Sequence, residues 1–283
     1  MLGLTYSSLA SSGVGYVGIL DDYPNAAAAY SVRLLKSDYA GGLVEIRRSS
    51  DNALKTFYPD SNNELSLTSE DGSGTSLSNW ITTDDGFIRT WYDQSGNTVD
   101  ATQTTTANQP QIITSGAFIT VSGKPSIDFD GVNDVISSTL SSATTSLFSN
   151  LCNLRTYTIP VLGSTALGSE NSNDKRYWWR DTLDTKIRNG GALEPSFTWF
   201  NTPYIVSMIF KTTAFVSVYE NGGSIDTQAV SGSSRTQSLT IGGSVALSRP
   251  MDMGLSEAIF WSDEDNARQS GVHSNQNDYY SIY

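Results

Sequence analysis

Short segments rich in β-branched and aromatic residues recur along the chain, and clusters of Gly, Asn, Asp and Ser separate them. Such segments predict β-strands, and Asn221-Gly222 predicts a tight hairpin turn. We place strands at 43–48, 87–92, 126–129, 204–210, 215–219, 239–243 and 255–261. Many short strands with regular turn signals favour a mostly β fold, a two-sheet antiparallel jelly-roll sandwich.

Two segments predict helices. Residues 24–35 begin at Pro24 and continue with strong helix formers, including four consecutive alanines, so we expect one early helix there. The acidic run 263–265 is typical of the start of a short C-terminal helix. The polar stretches 61–79 and 102–110 are predicted to be surface loops.

Charge and composition exclude several classes of function. The chain has 283 residues and a net charge of −12, and no cluster of Lys and Arg that could bind phosphates, so we expect no nucleic-acid partner. No apolar run approaches about 18 residues, so we expect no membrane span. The single cysteine, Cys152, cannot form an internal disulfide, and the single histidine, His273, cannot build a histidine-based zinc site.

The first residues predict no secretory signal, because the chain has no Lys or Arg before Arg33. We divide the sequence into an N-terminal segment, residues 1–21, that could serve for attachment, and one sandwich domain, residues 22–283.

Two aromatic motifs are candidates for sugar binding. Trp91 could stack on a sugar ring while Asp93 and Gln94 bind its hydroxyls, although the same pattern allows a buried aromatic and a polar turn. In the second motif, Trp178 and Trp179 point to opposite faces of a strand, so one of them faces outward or into a cleft. Arg180 and Asp181 follow them and could add polar contacts, and packing in a core or an interface is the alternative.

Two acidic features carry other expectations. Asp128, Asp130, Asn133 and Asp134 form an oxygen-rich set that could bind calcium, the one cofactor that we consider, although a turn capped by Asp side chains explains the same residues. Glu257 lies between apolar neighbours in a predicted strand, so we expect an inward residue that is salt-bridged to Arg33, Arg47 or Arg48.

Several of these motifs together resemble a known family. The runs 29–35, 44–51 and 90–97 resemble the opening of the arabinofuranosidase B catalytic domain. The runs 128–131, 218–222 and 254–261 are similar to a laminin-G-like, concanavalin A-type module. Together they cover about residues 22–283 and imply a jelly-roll sandwich.

The catalytic features that the resemblance implies are missing. The family's nucleophile is a Glu in an Asp-Met-Glu-Asn-Gly run before the strand at 204–210, whereas residues 178–184 hold no Glu-Asn-Gly. The family's acid is an Asp directly after Ile-Gly-Gly, whereas Ser244 follows Gly243 here. The family's vicinal cysteine pair is also missing, since Cys152 is alone. We therefore expect no catalytic residues and no enzyme activity.

Modules of this kind also look like parts of bacteriophage virion proteins. The leading hypothesis is therefore a non-enzymatic virion surface protein, a head decoration, fibre or tail appendage, made in the host cytoplasm and able to bind glycans weakly. Its expected partners are other virion proteins, cell-surface or environmental glycans, and further copies of itself. The alternatives are an arabinofuranosidase-like glycoside hydrolase and a cellular carbohydrate-binding lectin.

Overall fold

The structure is a computed structural model that describes residues 15–144, 146–158, 164–168, 177–181, 184–189, 191–193, 201–210, 215–229, 236–243 and 249–283. Its α-helices are α1 (Ile19–Asp22), α2 (Leu77–Ile81) and α3 (Gln269–Tyr280), and short 3-10 helices lie at Thr106–Asn108 and Asn266–Arg268. The strands are β1 (Ala28–Ser31), β2 (Val44–Arg48), β3 (Leu54–Phe57), β4 (Gly86–Trp91), β5 (Ala101–Thr102), β6 (Gln111–Thr114), β7 (Ala117–Phe118), β8 (Thr120–Val121), β9 (Lys124–Pro125), β10 (Ile127–Asp130), β11 (Ile136–Thr144), β12 (Leu147–Thr158), β13 (Ser164–Gly168), β14 (Tyr177–Asp181), β15 (Asp184–Asn189), β16 (Gly191–Leu193), β17 (Tyr204–Phe210), β18 (Phe215–Glu220), β19 (Gly223–Ala229), β20 (Thr236–Ile241), β21 (Asp252–Leu255) and β22 (Glu257–Trp261).

Apart from the small antiparallel pair β8-β9, the described strands form two antiparallel sheets that share β12. Sheet I has the order β1-β22-β12-β17-β18-β19. Sheet II begins with β3-β2-β4 and then divides, because β4 pairs with both β5 and β6. One branch continues as β5-β11-β20-β13-β14-β15-β16 and the other as β6-β10-β21-β12. The predicted mostly β sandwich is confirmed.

A bulge lets β12 serve both sheets. Its first part pairs with β17 and β22, and its last part, from Arg155 onward, pairs with β21. The register shifts between Cys152 and Leu154, and the intervening Asn153 has a φ of 54°. A residue in the left-handed region redirects a strand locally, so Asn153 marks the point at which the chain passes from one sheet to the other.

The main core lies between the two sheets. Tyr30 and Phe260 of sheet I meet Trp91 of sheet II, and the Tyr30 and Trp91 ring centroids are 5.7 Å apart. The outer face of sheet I is also covered, because Trp261 and Phe148 pack in a second cluster with Val272 of α3. Helix α1 contributes to this same cluster, so β1 and β22 of sheet I are covered on both faces.

The predicted early helix over 24–35 is wrong, because its middle is the strand β1. Residues Ala28–Ser31 pair with Glu257–Phe260 across sheet I, and all of them are buried. A strand that is covered on both faces shows no alternation of apolar and polar residues, and its alanines give the same signal as a helix. The pairing with β22 therefore overrides the helix propensity of the alanines.

Other local predictions fare better. The predicted strands at 204–210 and 215–219 coincide with β17 and β18. Asn221 and Gly222 have φ values of 46° and 84°, which confirms a hairpin turn with both central residues in the left-handed region. The predicted C-terminal helix is α3. Of the N-terminal segment, Ile19 and Leu20 belong to the core, and residues 1–14 lie outside the described residues.

Candidate functional site

The first candidate motif is buried in the sandwich. Trp91 is fully buried against Tyr30, so its ring offers no face to a ligand. The Asp93 carboxylate accepts hydrogen bonds from the backbone N–H groups of Ala29 at 2.8 Å and of Val99 at 3.1 Å. These bonds fix the end of β4 against β1, so the Asp93 carboxylate has a structural role.

Gln94 has the same kind of role. Its Oε1 accepts from the Leu35 backbone N–H at 2.8 Å, and its Nε2 donates to the Arg33 carbonyl at 3.0 Å. The structure therefore corrects the sugar-binding interpretation of Trp91, Asp93 and Gln94: burial removes the ring from solvent, and the polar atoms satisfy backbone groups, as buried polar atoms generally must.

The second candidate motif lies on β14. Trp178 pairs with Leu167 of β13, and Asp181 pairs with Asp184 of β15. This register confirms that the motif forms a strand. The side chains of Trp178, Trp179, Arg180 and Asp181 lie outside the described residues, so a sugar platform at this strand stays a prediction.

The oxygen-rich set at 128–134 forms a capped turn. Asp130 Oδ1 accepts from the backbone N–H groups of Val132 at 2.8 Å and of Asn133 at 3.2 Å, and Asp134 Oδ2 accepts from the Asp130 N–H at 3.1 Å. These are the contacts of the alternative interpretation, a turn held by aspartates.

Two carboxylates of this turn have raised pKa values. Burial raises the pKa of Asp134 to about 7, and burial with the nearby Asp252 and Asp130 raises the pKa of Asp128 to about 6. In the part of the chain that the structure describes, no group of three or more acidic, His or Cys side chains lies close enough to hold a metal. The contacts of the turn therefore support the structural alternative, and calcium binding by Asp128, Asp130, Asn133 and Asp134 stays a prediction.

Glu257 is the centre of a buried polar network, as expected for an inward, salt-bridged residue. Its carboxylate lies 2.8 Å from Arg33 Nε, which identifies Arg33 as the partner among the three candidates. Ser31 Oγ and Gln276 Nε2 each donate to the carboxylate at 2.8 Å. Arg33 also donates to Asn275 at 2.8 Å, so the network connects β1 and β22 to α3.

His273 belongs to the same buried layer. Its Nδ1 accepts from the Gly222 backbone N–H at 2.9 Å, so the proton of the neutral ring is on Nε2, which donates to Ser207 Oγ at 2.8 Å. The serine also accepts from Asn150 at 3.0 Å. A histidine that donates to a serine cannot take up its proton, so this pair is not a nucleophile with its base. Burial lowers the His273 pKa to about 4.

An open cleft lies on another part of the surface. Its volume is about 750 Å³, and it opens between the segment that follows β1 and the loop that follows β3. We call it the Tyr58 cleft. Its lining residues are Leu34, Tyr39, Ala40, Gly41, Tyr58, Pro59, Asp60, Ser61, Asn63, Thr68, Glu70, Asp71 and Gly72. Residue-by-residue patterns missed this cleft, because its two walls are distant in sequence.

Hydrogen bonds hold the walls of the Tyr58 cleft in place. The Leu34 N–H donates to the Asn63 carbonyl at 2.7 Å, which joins the two walls. The Tyr58 N–H donates to the Glu70 carbonyl at 3.1 Å and closes the loop on itself. Tyr58 nevertheless keeps 36% of its surface exposed. An aromatic residue at the start of a polar loop was the one local feature of the sequence that could have indicated the cleft.

Acidic side chains brace the loop wall. Asp60 Oδ1 accepts from the backbone N–H of Asn62 at 2.8 Å, and Asp71 Oδ1 accepts from the N–H groups of Ser73 and Thr75 at 2.9 Å. Lys55 forms an ion pair with Asp71, and this hydrogen bond holds the pKa of the Asp71 carboxyl well below its usual range.

Among the described residues, no helix has both the length and the apolar character needed to cross a membrane.

Comparison with known proteins gives the fold. No family model and no curated protein matches this chain significantly. A GH54 α-L-arabinofuranosidase soaked with a cyclic sulfate inhibitor matches 89% of this chain with a TM-score of 0.67 and 14% identity. An arabinofuranosidase complexed with arabinofuranosyl-α-1,2-xylobiose matches the same share with a TM-score of 0.65 and 14% identity. This chain spans 62% of the length of each. At such identity the likeness shows a shared β-sandwich fold and nothing finer.

Proposed function

We propose that this chain is a non-enzymatic, glycan-binding sandwich module on the surface of a bacteriophage virion. The observation that carries the proposal is a sugar-processing fold whose expected catalytic positions hold other residues. Ser244 stands where the resemblance implies the acid, and residues 178–184 lack the implied nucleophile. Retaining hydrolysis needs two carboxylates about 5–5.5 Å apart, so losing both removes the reaction and can leave sugar binding intact.

The described acids and the histidine support a non-enzymatic role. Asp93 is bonded to backbone N–H groups, Glu257 is buried and paired with Arg33, and His273 donates to Ser207. A general acid or base needs an available proton site at the reacting atoms. Each of these groups has its polar atoms committed to the fold instead.

The virion setting rests on the resemblance of the sequence motifs to phage modules. A head decoration, fibre or tail appendage is present in many copies, so it contacts other virion proteins and copies of itself. Weak glycan binding is sufficient there, because linked copies raise the effective concentration and the combined affinity.

A glycan panel that includes arabinan tests the biochemical part of the proposal. Purified protein is applied to the panel, binding is quantified, and each spot is examined afterwards by mass spectrometry. We expect retention on at least one glycan with no released sugar. Released arabinose would refute the non-enzymatic role and favour a glycoside hydrolase. A complete lack of binding would refute the glycan-binding role.

Immunogold electron microscopy tests the virion part of the proposal. Antibodies against this chain are applied to purified particles of the phage whose genome encodes it. We expect gold on the head, fibre or tail. Particles of a mutant phage that lacks the gene for this chain serve as the control. Antigen that remains in the soluble fraction of the lysate, with unlabelled particles, would overturn the assignment.

Hydrolysis of arabinofuranosides is the second candidate function, and the fold likeness favours it. It would require Asp181 or Asp184 to act with another acid such as Asp252. Asp252 lies on β21, which pairs with β10 and β12. Asp181 lies on β14, which pairs with β13 and β15, so the two acids are on strands that are not paired with each other. Assaying Asp181→Asn and Asp184→Asn beside the unmodified chain decides this point, since an enzyme of this design would lose its activity.

A further inference from the structure

We propose that the Tyr58 cleft is the glycan-binding site and that it takes a neutral sugar chain. This inference rests on the proposed function and names the site and the class of ligand. The cleft volume of about 750 Å³ is within the range of about 300–1,000 Å³ that is common for ligand pockets. The lining residues belong to the segments that follow β1 and β3, whereas Trp178 and Trp179 belong to β14.

Aromatic rings give the cleft its affinity for sugars. Tyr58 lines the cleft and keeps 36% of its surface exposed, and Tyr39 lines the opposite wall. The Tyr39 hydroxyl donates to the Gly42 carbonyl at 2.8 Å, which fixes its ring. The C–H face of a sugar ring packs on such a platform, while the hydroxyls at the ring edge remain available for hydrogen bonds.

Polar groups beside the rings suit sugar hydroxyls. Asp60, Asn63 and Glu70 line the cleft and supply carboxylate and amide oxygens, which accept hydrogen bonds from hydroxyl groups. Asp60 Oδ1 is committed to the loop backbone, whereas Oδ2 has a long contact of 3.5 Å with Thr68 Oγ1. An aromatic platform with a few directional acceptors is the usual composition of a ligand site with defined orientation.

The charge of the lining disfavours acidic sugars. Asp60, Glu70 and Asp71 line the cleft, and none of the described lining residues is Lys or Arg. The ion pair with Lys55 compensates Asp71, so the remaining negative charge is carried by Asp60 and Glu70. Sialylated or uronic-acid glycans would bring a carboxylate next to these groups without a compensating cation, so they are disfavoured.

The walls are set before the ligand arrives. The bond between Leu34 and Asn63 joins them, and the bond between Tyr58 and Glu70 closes the loop. A site that is already ordered loses less conformational entropy on binding. Removing the Tyr58 ring therefore removes contact area without loosening the loop, since its backbone bond does not depend on the side chain.

The test compares Tyr58→Ala and Tyr58→Phe with the unmodified chain. The full chain and both variants are titrated with the best neutral oligosaccharide from the glycan panel and with an acidic and an amine-bearing counterpart. Tyr283→Ala is the matched control, because Tyr283 is also exposed and lies outside the cleft lining. Circular dichroism and thermal unfolding confirm that each variant is folded.

We expect Tyr58→Ala to weaken binding of the neutral oligosaccharide about tenfold or more, a change of about 1.4 kcal/mol. Tyr58→Phe and Tyr283→Ala should bind like the unmodified chain. Equal binding by Tyr58→Ala would overturn the assignment of the cleft and leave the proposed function standing. A preference for the acidic or amine-bearing glycan would overturn the neutral class. Failure of the unmodified chain to bind any glycan would refute both this inference and the proposed function.

Discussion

Burial sets the protonation state of His273. The ring is fully buried between Ser207 and the hairpin turn at Gly222, and its pKa is lowered to about 4 from a usual value near 6.5. The unfolded chain therefore binds a proton at a pH where the folded chain does not. Stability from this group is complete above pH ~6.5 and is lost as the pH falls toward 4.

We expect the pH dependence to differ between the unmodified chain and His273→Gln. Between pH 7 and pH 4.5 the unmodified chain should lose about 2–3 kcal/mol more of its free energy of unfolding than the variant. Asp128 and Asp134 have raised pKa values, so they act with the opposite sign, but they are present in both proteins and cancel in the comparison. Denaturant titrations at several pH values measure the difference, and identical pH profiles would contradict the prediction.

The ion pair of Arg33 and Glu257 gives a second prediction at this scale. Glu257 is fully buried, so Glu257→Gln leaves the Arg33 charge without its partner, and we expect a loss of about 3–5 kcal/mol. The partly exposed pair of Arg89 and Glu45 is the control, since Glu45→Gln should cost less than about 1 kcal/mol. Equal effects of the two substitutions in chemical denaturation would show that burial does not control the energy of these pairs.

At the scale of elements, the hairpin of β6 and β7 depends on Gly116. Its φ is 79°, and a Cβ atom there would lie 2.1 Å from the Thr82 carbonyl oxygen at the end of α2. Gly74 has a similar φ of 81° but open space around it. A side chain at position 74 therefore causes backbone strain without a close contact, which makes this position the control for Gly116. Helix α2 and this hairpin are therefore held together by a contact that allows no side chain.

We expect Gly74→Ala to cost about 1 kcal/mol and Gly116→Ala to cost about 3 kcal/mol or more, because only the second adds a backbone clash to the strain. Free energies of unfolding of the two variants, measured side by side, check this difference. A Gly116→Ala variant as stable as Gly74→Ala would mean that the hairpin moves away from Thr82 at little cost.

The elements also show how far sequence patterns reach. Strands β17 and β18 were predictable, because apolar β-branched residues fill them and Asn221-Gly222 marks their end. Strand β1 was not, because Ala28–Ser31 become a strand only through pairing with β22. Propensity is a local quantity, so it carries no information on a partner that is more than two hundred residues away.

The candidate site was less predictable than the fold. The Trp91 motif left sugar stacking and core packing both open, because alternation cannot show which face of a strand is covered, and Trp91 is buried in the folded chain. Sequence patterns did not predict the Tyr58 cleft, because its walls near Leu34 and Asp60 come together only in the folded chain. Aromatic and acidic residues in a loop become a candidate binding site only when the fold places them around one cavity.

At the scale of the whole molecule, the net charge of −12 makes the folded chain repel itself. Salt screens this repulsion, since the Debye length falls from about 30 Å at 0.01 M to about 8 Å at 0.15 M. We expect the thermal unfolding midpoint at pH 7 to rise over this range of sodium chloride. Near pH 4.4, the isoelectric point, the increase should disappear. The same salt dependence at both pH values would contradict this explanation.

The pairing of β1 with β22 has a consequence for synthesis on the ribosome. Ala28–Ser31 leave the exit tunnel more than two hundred residues before their partners, Glu257–Phe260. Arg33 likewise waits for Glu257 and Asn275. Contacts between such distant residues form slowly, and exposed strand edges invite wrong pairing in the meantime. Strand β1 therefore stays without its partner while the intervening chain is synthesised, and chaperones have to protect it during that interval.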